Sequence, residues 1–252
     1  MSLLSPKVRI ALTPGRVAVA SGSEYREAAV AAAGWSGALE ALSGLLAGSA
    51  LRGRASATLS HHFAPVHLLP PTPVVLKPLE MQGWIRDQLV RQFGEAGRDW
   101  RVAWQAEPPG EPFLVSSLEP AHLADLEGAL GAASLKLVEA QPWLAAAWNR
   151  QRRHLGRGRA WYALAEPGRL MLLGLEDGRV RTLRTAPFQD DAAVAALADL
   201  LKREALLAGE DGAAPLWVES AAMRPNWQEL GGGRSVHPIP GGRDPLSALL
   251  EN

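Results

Sequence analysis

The sequence lacks cysteine altogether, since none of its 252 residues carries a thiol. Disulfide bonds, thiolate metal sites and cysteine nucleophiles are therefore excluded, and the composition is typical of a reducing compartment. No stretch approaches the roughly 20 apolar residues that a membrane-spanning helix needs, and no signal-peptide core stands at the N-terminus. We therefore expect a cytoplasmic protein that has no membrane span of its own.

An excess of charge of either sign is also missing, because 26 lysines and arginines balance 26 aspartates and glutamates. A neutral chain offers no long-range attraction to nucleic acid, so we expect no nucleic-acid partner. One basic run stands apart, since five of the residues at 150–159 are arginines. Its glycines predict an exposed, mobile loop between two lobes. The alternative, a phosphate or nucleic-acid site, would need interleaved aromatic residues, which the run lacks.

Catalytic and metal-binding motifs are absent as well. The sequence contains neither the Gly-x-x-x-x-Gly-Lys-Ser/Thr phosphate loop nor the Gly-x-Ser-x-Gly elbow of serine hydrolases. His61, His62 and His67 lie close together in the sequence. A metal site needs its ligands on one face, and the predicted turn between these histidines prevents that. We interpret them as solvated turn residues and expect no metal site. The carboxylate pairs at 190–191 and 210–211 fit a helix cap or an exposed turn, so we expect no catalytic residues.

The sequence does contain one short turn motif that occurs twice. Thr13-Pro14-Gly15-Arg16 and Glu166-Pro167-Gly168-Arg169 each separate two apolar runs. Proline fixes φ at the first corner of such a turn, and glycine can take the positive φ that a type II turn needs at the second. The motif predicts two hairpins, with strands at 7–12, 16–20, 160–165 and 169–175.

Hydrophobic periodicity and breaks at glycine and proline predict the remaining elements. Helices are expected at 35–46, 79–93, 119–134 and 190–208, and one more is expected to start at Pro142. Strands are expected at 54–60, 64–69, 100–104, 113–117, 135–140, 179–185 and 216–219.

Both halves of the chain open in the same order of strand, Pro-Gly-Arg turn and strand, which predicts two copies of one mixed α/β unit. We expect the following organisation: a first lobe at 1–150 with an inserted subdomain at about 54–118, a basic inter-lobe loop at 151–159, a second lobe at 160–230 and a flexible tail at 231–252. A chance repeat is the alternative, because Pro-Gly turns are common and the shared string is short.

Five segments carry a resemblance to a known group of proteins, namely 57–63, 66–71, 100–104, 139–142 and 163–169. With the duplicated lobes, they resemble the actin-like ATPase fold, in which each lobe is RNase H-like and has a mixed sheet flanked by helices. Within that fold the chain resembles the PilM and GspL group, which assembles type IV pili and type II secretion systems, and the related MshI proteins.

The resemblance implies a degenerate nucleotide site on the two turns. In the nucleotide-hydrolysing members each turn carries Asp-x-Gly, and its carboxylate helps to hold metal and water. The positions that match here are Thr13, Gly15, Arg16, Glu166, Gly168 and Arg169. Threonine replaces the first carboxylate, a longer glutamate replaces the second, and the prolines offer no N–H to a phosphate. We therefore expect no cofactor and interpret ATP with magnesium as disfavoured.

The resemblance also implies a function: a non-catalytic scaffold or adaptor in the assembly of a type IV pilus or type II secretion inner-membrane platform. Such a protein would be cytoplasmic, peripheral at the inner membrane, and would bind a short segment of a PilN-like or GspL/GspM-like membrane partner. A homodimer is left open. The rival hypothesis is a weak nucleotide-binding ATPase or kinase of the same fold.

Overall fold

The computed structural model describes residues 8–72, 74–105, 107–155, 157–189, 192–209, 214–220, 225–231 and 233–239. The chain divides into two compact units, Met1–Ala146 and Ala147–Asn252. Each unit has its own hydrophobic core, so each is a self-contained packing unit.

The described residues up to 142 form eight strands and three α-helices. These are β1 (Val8–Leu12), β2 (Arg16–Ser21), β3 (Glu24–Ala29), α1 (Trp35–Leu46), β4 (Gly53–Leu59), β5 (Val66–Leu69), α2 (Pro78–Phe93), β6 (Arg101–Trp104), β7 (Phe113–Leu118), α3 (Pro120–Ala132) and β8 (Leu135–Pro142). Five of the strands form a core sheet in the order β3-β2-β1-β4-β8, and the other three form a smaller sheet in the order β5-β7-β6.

Two helices cover one face of the first core sheet, because their apolar residues recur at helical spacing. Ala38, Leu42 and Leu46 of α1 are buried against this sheet together with leucines of α3. Glycine is required at position 37, in the first turn of α1, because the backbone of Ala32 lies against it. A Cβ at this position would overlap the carbonyl oxygen of Ala32. Helix α2 packs separately on the smaller sheet and encloses a core of its own.

Helix α4 (Trp143–Gln151) crosses the division between the units. The second unit then contains β9 (Arg159–Glu166), β10 (Arg169–Glu176), β11 (Arg179–Pro187), α5 (Ala193–Leu207), β12 (Leu216–Ser220), a 3-10 helix at Trp227–Leu230 and β13 (Val236–Ile239). Strands β9 and β10 are buried along nearly their whole length, which explains why they read as continuous apolar runs rather than as alternating strands.

The two core sheets have the same topology. The second follows the order β11-β10-β9-β12-β13, which matches β3-β2-β1-β4-β8 position for position. In both sheets the first three strands of the unit are antiparallel neighbours, and the fourth and fifth are added in parallel. A helix joins the third strand to the fourth in both units. The predicted duplication is thereby confirmed, and the fold is α/β with two RNase H-like sheets.

The structure corrects the prediction at one edge of each core sheet. Strand β3 was not predicted, because Glu24–Ala29 is polar and largely exposed. Residues 231–252 were expected to form a loose tail, yet Val236–Ile239 pairs in parallel with β12, and Val236 packs against the second core. Helix α5 was expected from residue 190 and begins at Ala193. Residues 190–191, 210–213 and 240–252 lie outside the described residues.

Candidate functional site

The first Pro-Gly-Arg turn is closed by its threonine. The N–H and hydroxyl of Thr13 both donate to the carbonyl oxygen of Arg16, at 2.9 and 2.8 Å, and the hydroxyl oxygen accepts from the Arg16 N–H at 3.0 Å. Gly15 does not have a positive φ, so the predicted type II turn is wrong here. The physical reason is that the Thr13 hydroxyl closes the turn without it. The hydroxyl of Thr13 and the N–H groups of Thr13 and Arg16 are therefore occupied within the turn.

The second turn differs from the first in its backbone. Glu166 pairs with Arg169 across a two-residue connection, and Gly168 has a φ of 77°. Glu166 ends strand β9 and is 1% exposed. Pro167 has no N–H, so this corner offers a phosphate fewer donors than an ordinary turn would. The arrangement is a tight hairpin with its carboxylate turned into the protein.

The two turns hold equivalent positions in their own units. The carbonyl of Gly15 accepts from the N–H of Val30 after β3, and that of Gly168 accepts from the N–H of Phe188 after β11. The structure thus brings Thr13, Gly15 and Arg16 together in one unit, and Glu166, Gly168 and Arg169 together in the other. The guanidinium of Arg16 is exposed, 3.7 Å from Glu27, as expected for a solvated hairpin flank.

A second buried carboxylate lies on the same sheet face as Glu166, and sequence reasoning missed it. Glu219 of β12 pairs with Leu164 of β9, and side chains two residues apart on a strand share a face. Glu219 and Glu166 therefore stand on one face at the carboxyl ends of two parallel strands, where open α/β sheets commonly bind ligands. At the matching positions the first unit has threonines, Thr13 and Thr58.

Glu219 is engaged by two protein groups. One oxygen accepts from Arg150 Nη2 at 2.7 Å and the other from the Tyr162 hydroxyl at 3.0 Å, and Glu219 is only 2% exposed. Burial first, and then the charge of Glu219, raise the pKa of Tyr162 well above that of an ordinary phenol, so Tyr162 stays a donor. The carboxylate is thus neutralised by Arg150 rather than presented to a metal ion.

This ion pair also corrects the interpretation of the basic run. The segment at 150–159 was predicted to be an exposed loop, but Arg150 lies in the last turn of α4 and its side chain is 24% exposed. The pairing was invisible in the sequence because Arg150 and Glu219 belong to distant segments. The only signal was a glutamate within the apolar strand Leu216–Ser220.

The histidines are less solvated than predicted. His61 is buried, with its Nδ1 3.4 Å from the Val66 amide nitrogen. His67 forms a 2.9 Å hydrogen bond with the Ser117 hydroxyl through Nε2 and stacks on Trp100. Burial lowers the pKa of His67 to about 4, so it is neutral at physiological pH. Across the described ranges, no three histidine, aspartate or glutamate side chains are grouped as metal ligands would be.

The first unit contains a cleft that also escaped prediction. Its volume is about 300 Å³, and it lies between β8 of the core sheet and strands β6 and β7 of the smaller sheet. Both β8 and β6 are edge strands of the described sheets. The wall is mainly aliphatic, with a few polar side chains; its lining includes Val102, Leu118, Leu123, Leu137, Arg101 and Glu127. Such a cleft has the shape and polarity to hold a short extended segment.

Comparison with solved structures agrees with the duplicated sheets. A protein of Bacteroides thetaiotaomicron that has an actin-like ATPase fold and unknown function superposes with a TM-score of 0.65 at 9% identity, covering 98% of this chain and 95% of that one. The chain has the actin-like ATPase fold.

Two further structural neighbours come from a secretion system and from pilus biogenesis. The cytoplasmic domain of EpsL, an inner-membrane component of the type II secretion system of Vibrio cholerae, gives a TM-score of 0.59 at 14% identity, over 97% of this chain and 91% of that one. The PilM–PilN type IV pilus biogenesis complex gives 0.63 at 13% identity, over 96% and 89%. The sequence matches no protein-family model and no curated protein sequence. At these identities the likeness establishes the actin-like fold alone.

The candidate binding groups of each unit differ in their exposure. Thr13, Glu166 and Glu219 are buried within their own units, whereas the cleft in the first unit is open and lined mainly by apolar side chains. None of the helices in the described residues is both long and apolar enough to cross a bilayer.

Proposed function

We propose that this chain is a non-catalytic actin-like scaffold in the assembly of a type IV pilus or type II secretion inner-membrane platform. It would work in the cytoplasm, peripheral to the inner membrane, and bind a short segment of a PilN-like or GspL/GspM-like partner. The cleft between β8 and β6 is the observation that carries the proposal. The likeness in fold to EpsL and to the PilM–PilN complex supports the choice of assembly systems.

The cleft suits an extended peptide for two reasons. An edge strand has one row of backbone N–H and C=O groups that no strand pairs with, and a peptide can add to it as a further strand. The apolar wall then receives alternate side chains of the peptide, since those point to opposite sides of a strand. Arg101 on one side and Glu127 and Glu139 on the other give the lining charges of both signs, which can select polar residues of the partner.

The absence of catalysis is proposed from the two turns and the Glu219 cluster. In the first turn a threonine takes the place of a carboxylate, and its hydroxyl is bonded to Arg16. In the second unit the carboxylate of Glu219 is paired with Arg150. A nucleotide enzyme would need these groups to face metal and phosphate.

The proposal is tested by narrowing the cleft. Ala140 of β8 is exposed and lines the cleft, so Ala140→Trp should fill part of it without disturbing the core. Ala29 of β3 is an exposed alanine on the opposite edge strand of the same sheet, and Ala29→Trp is the matched control. The binding probe is a labelled peptide with the sequence of the cytoplasmic N-terminal segment of a PilN-like or GspM-like protein from the same genome.

We expect Ala140→Trp to weaken peptide binding at least about tenfold in a fluorescence anisotropy titration, because the indole ring occupies space that the bound peptide needs. Ala29→Trp should bind like the unmodified protein. Equal affinities for all three proteins, or an equal loss in both variants, would reject the cleft as the binding site. A pull-down that consistently recovers unrelated metabolic enzymes would count against the assembly role itself.

A further inference from the structure

Three basic side chains stand together at one end of the first core sheet. In the sheet register, Arg54 of β4 is the direct partner of Lys136 of β8. Arg9 of β1 is the partner of Ser56, which lies two residues after Arg54 on β4. Partners on neighbouring strands point to the same face, and so do residues two apart on one strand. The three cations therefore share a face, and we call them the basic cluster.

The basic cluster lies on the face of the sheet opposite to α1 and α3. Val8 and Ala55, which alternate with Arg9 and Arg54 along their strands, belong to the core under those two helices. Arg54 and Lys136 are exposed, whereas Arg9 is half-buried. None of the three lines the cleft. The cluster is thus an accessible patch that the proposed peptide site does not use.

Little negative charge accompanies the basic cluster. Within the described part of the chain, none of its three side chains forms an ion pair or a side-chain hydrogen bond. The nearest acid on this face is Glu139, and the whole of β4 separates it from Arg9, since both are partners of Ser56. Glu27 of β3 shares the face but lies 3.7 Å from Arg16. Three cations against one acid leave an excess of two positive charges.

The arrangement is unfavourable for the sheet unless an anion occupies it. Arg54 and Lys136 are direct partners, and like charges placed opposite each other across two strands repel and destabilise the pair. The fold does not require them. In the second core sheet, which has the same strand order, Tyr162 and Pro215 hold the positions of Arg9 and Arg54. A local rule that is broken without structural need is typical of a functional site.

We propose that the basic cluster binds a phosphomonoester group, carried by a soluble compound or by a lipid headgroup. Such a group has a charge of about −1.5 to −2 at pH 7, which matches the two excess positive charges. Arginine binds phosphate oxygens with two parallel N–H groups, and lysine binds them as a point charge. Long side chains on diagonal neighbours in a sheet, about 7–8 Å apart, can reach a common ligand. This goes beyond the proposed scaffold function, because it gives the chain a second ligand besides the peptide.

The first measurement is a thermal-shift titration of the full chain with inorganic phosphate at pH 7.5, against sodium chloride of equal ionic strength. Phosphate at about ten times its Kd should raise the Tm by about 3 °C, because binding to the folded state alone stabilises it. Arg54→Gln/Lys136→Gln should lose most of this rise. In chloride alone the same variant should be at least as stable as the unmodified protein, because the opposed like charges are gone.

The matched control removes two cations from the basic run at 150–159. Arg152 and Arg153 are exposed and lie on a turn rather than on neighbouring strands. Arg152→Gln/Arg153→Gln changes the net charge by the same amount and should keep the full rise in Tm. An equal loss in the two double variants would overturn the proposal, because it would reduce the effect to general electrostatic attraction.

The second measurement identifies the source of the phosphate. The full chain is floated with phosphatidylcholine vesicles that contain phosphatidic acid, whose headgroup is a phosphomonoester. Flotation that Arg54→Gln/Lys136→Gln weakens about tenfold, and that the control variant keeps, assigns the ligand to a lipid. A rise in Tm with inorganic phosphate but no flotation assigns it to a soluble compound. Neither effect in the unmodified protein would overturn the site. Peptide binding in the cleft is measured separately, so failure of one proposal is distinguishable from failure of the other.

Discussion

Replacing Arg150 should lower the free energy of unfolding of the second unit strongly. Arg150 faces a carboxylate that is 2% exposed, and breaking a buried ion pair from one side leaves a charge without compensation. We expect Arg150→Met to lower the free energy of unfolding by about 3–5 kcal/mol, measured by urea denaturation.

The double variant Arg150→Met/Glu219→Leu separates this effect from lost packing. It removes both charges, so most of the stability should return, since replacing a whole buried pair by apolar residues is often neutral. Arg98→Met is the surface control, because the Arg98–Glu95 pair is exposed and should matter little. A double variant as unstable as Arg150→Met would argue that the guanidinium is needed for packing and not for charge balance.

His67 makes a pH-dependent prediction at the same scale. Its pKa falls from 6.5 to about 4 on folding because burial disfavours the imidazolium. Between those values the unfolded chain binds a proton that the folded chain does not, so stability should fall as the pH drops from about 6.5 to about 4 and then level off. The full loss attributable to this residue is about 3 kcal/mol.

The comparison protein for that measurement is His67→Gln, which keeps a hydrogen-bond donor near Ser117 but does not titrate. Urea denaturation at pH 7 and at pH 4.5 should show a smaller difference for this variant than for the unmodified protein. Identical pH dependence in both would mean that His67 titrates normally in the folded state.

At the scale of elements, the two Pro-Gly-Arg turns supply a matched pair of substitutions. Gly168 has a φ of 77°, which costs an L-residue about 1–2 kcal/mol, so Gly168→Ala should lower the unfolding free energy by about that amount. Gly15 lies outside the positive-φ region, and a Cβ there would meet no atom within 4 Å. Gly15→Ala should therefore change the unfolding free energy by less than about 0.5 kcal/mol.

Thermal or urea unfolding of the two alanine variants measures whether the two substitutions differ in their effect on stability. Equal effects at the two glycines would mean that the turns have the same backbone after all. That result would restore the sequence-based expectation of a type II turn at Gly15.

Most elements were predictable because burial leaves a periodic trace in the sequence. Helix α1 was predicted at 35–46 and spans Trp35–Leu46, and its buried face repeats with helical spacing. The edge strands β3 and β13 left no such trace, because the first is polar and exposed and the second is four residues long. A short edge strand forms because its neighbour offers unpaired backbone groups, which its own sequence does not reveal.

The candidate site was predictable only where it is local. The six turn residues could be named from a repeated motif, since a turn is specified by adjacent residues. The Arg150–Glu219 pair and the cleft could not, because each depends on which distant segments the fold brings together. The cleft is lined by β6 and β7 on one side and by β8 on the other, and in the sequence the whole of α3 separates β7 from β8.

At the scale of the whole molecule, the scaffold and enzyme hypotheses differ in their response to nucleotide. A ligand that binds only the folded state at about 100 times its Kd stabilises it by about 2.7 kcal/mol. We expect no change in Tm when ATP and magnesium are added in millimolar excess, because the Thr13 hydroxyl and the Arg16 N–H of the first turn are already bonded to each other's residues. A thermal-shift titration measures this directly. A rise of several degrees that requires magnesium would favour the weak ATPase or kinase.

The two halves differ most between their fourth and fifth strands. In the second half the interval is residues 221–235, whereas in the first it is residues 60–134 and contains a sheet and two helices. The shorter version demonstrates that the five-strand layout closes without the extra layer. The core sheet therefore does not need the inserted sheet in order to form, and this interval is where the chain can gain or lose residues at the smallest cost in stability.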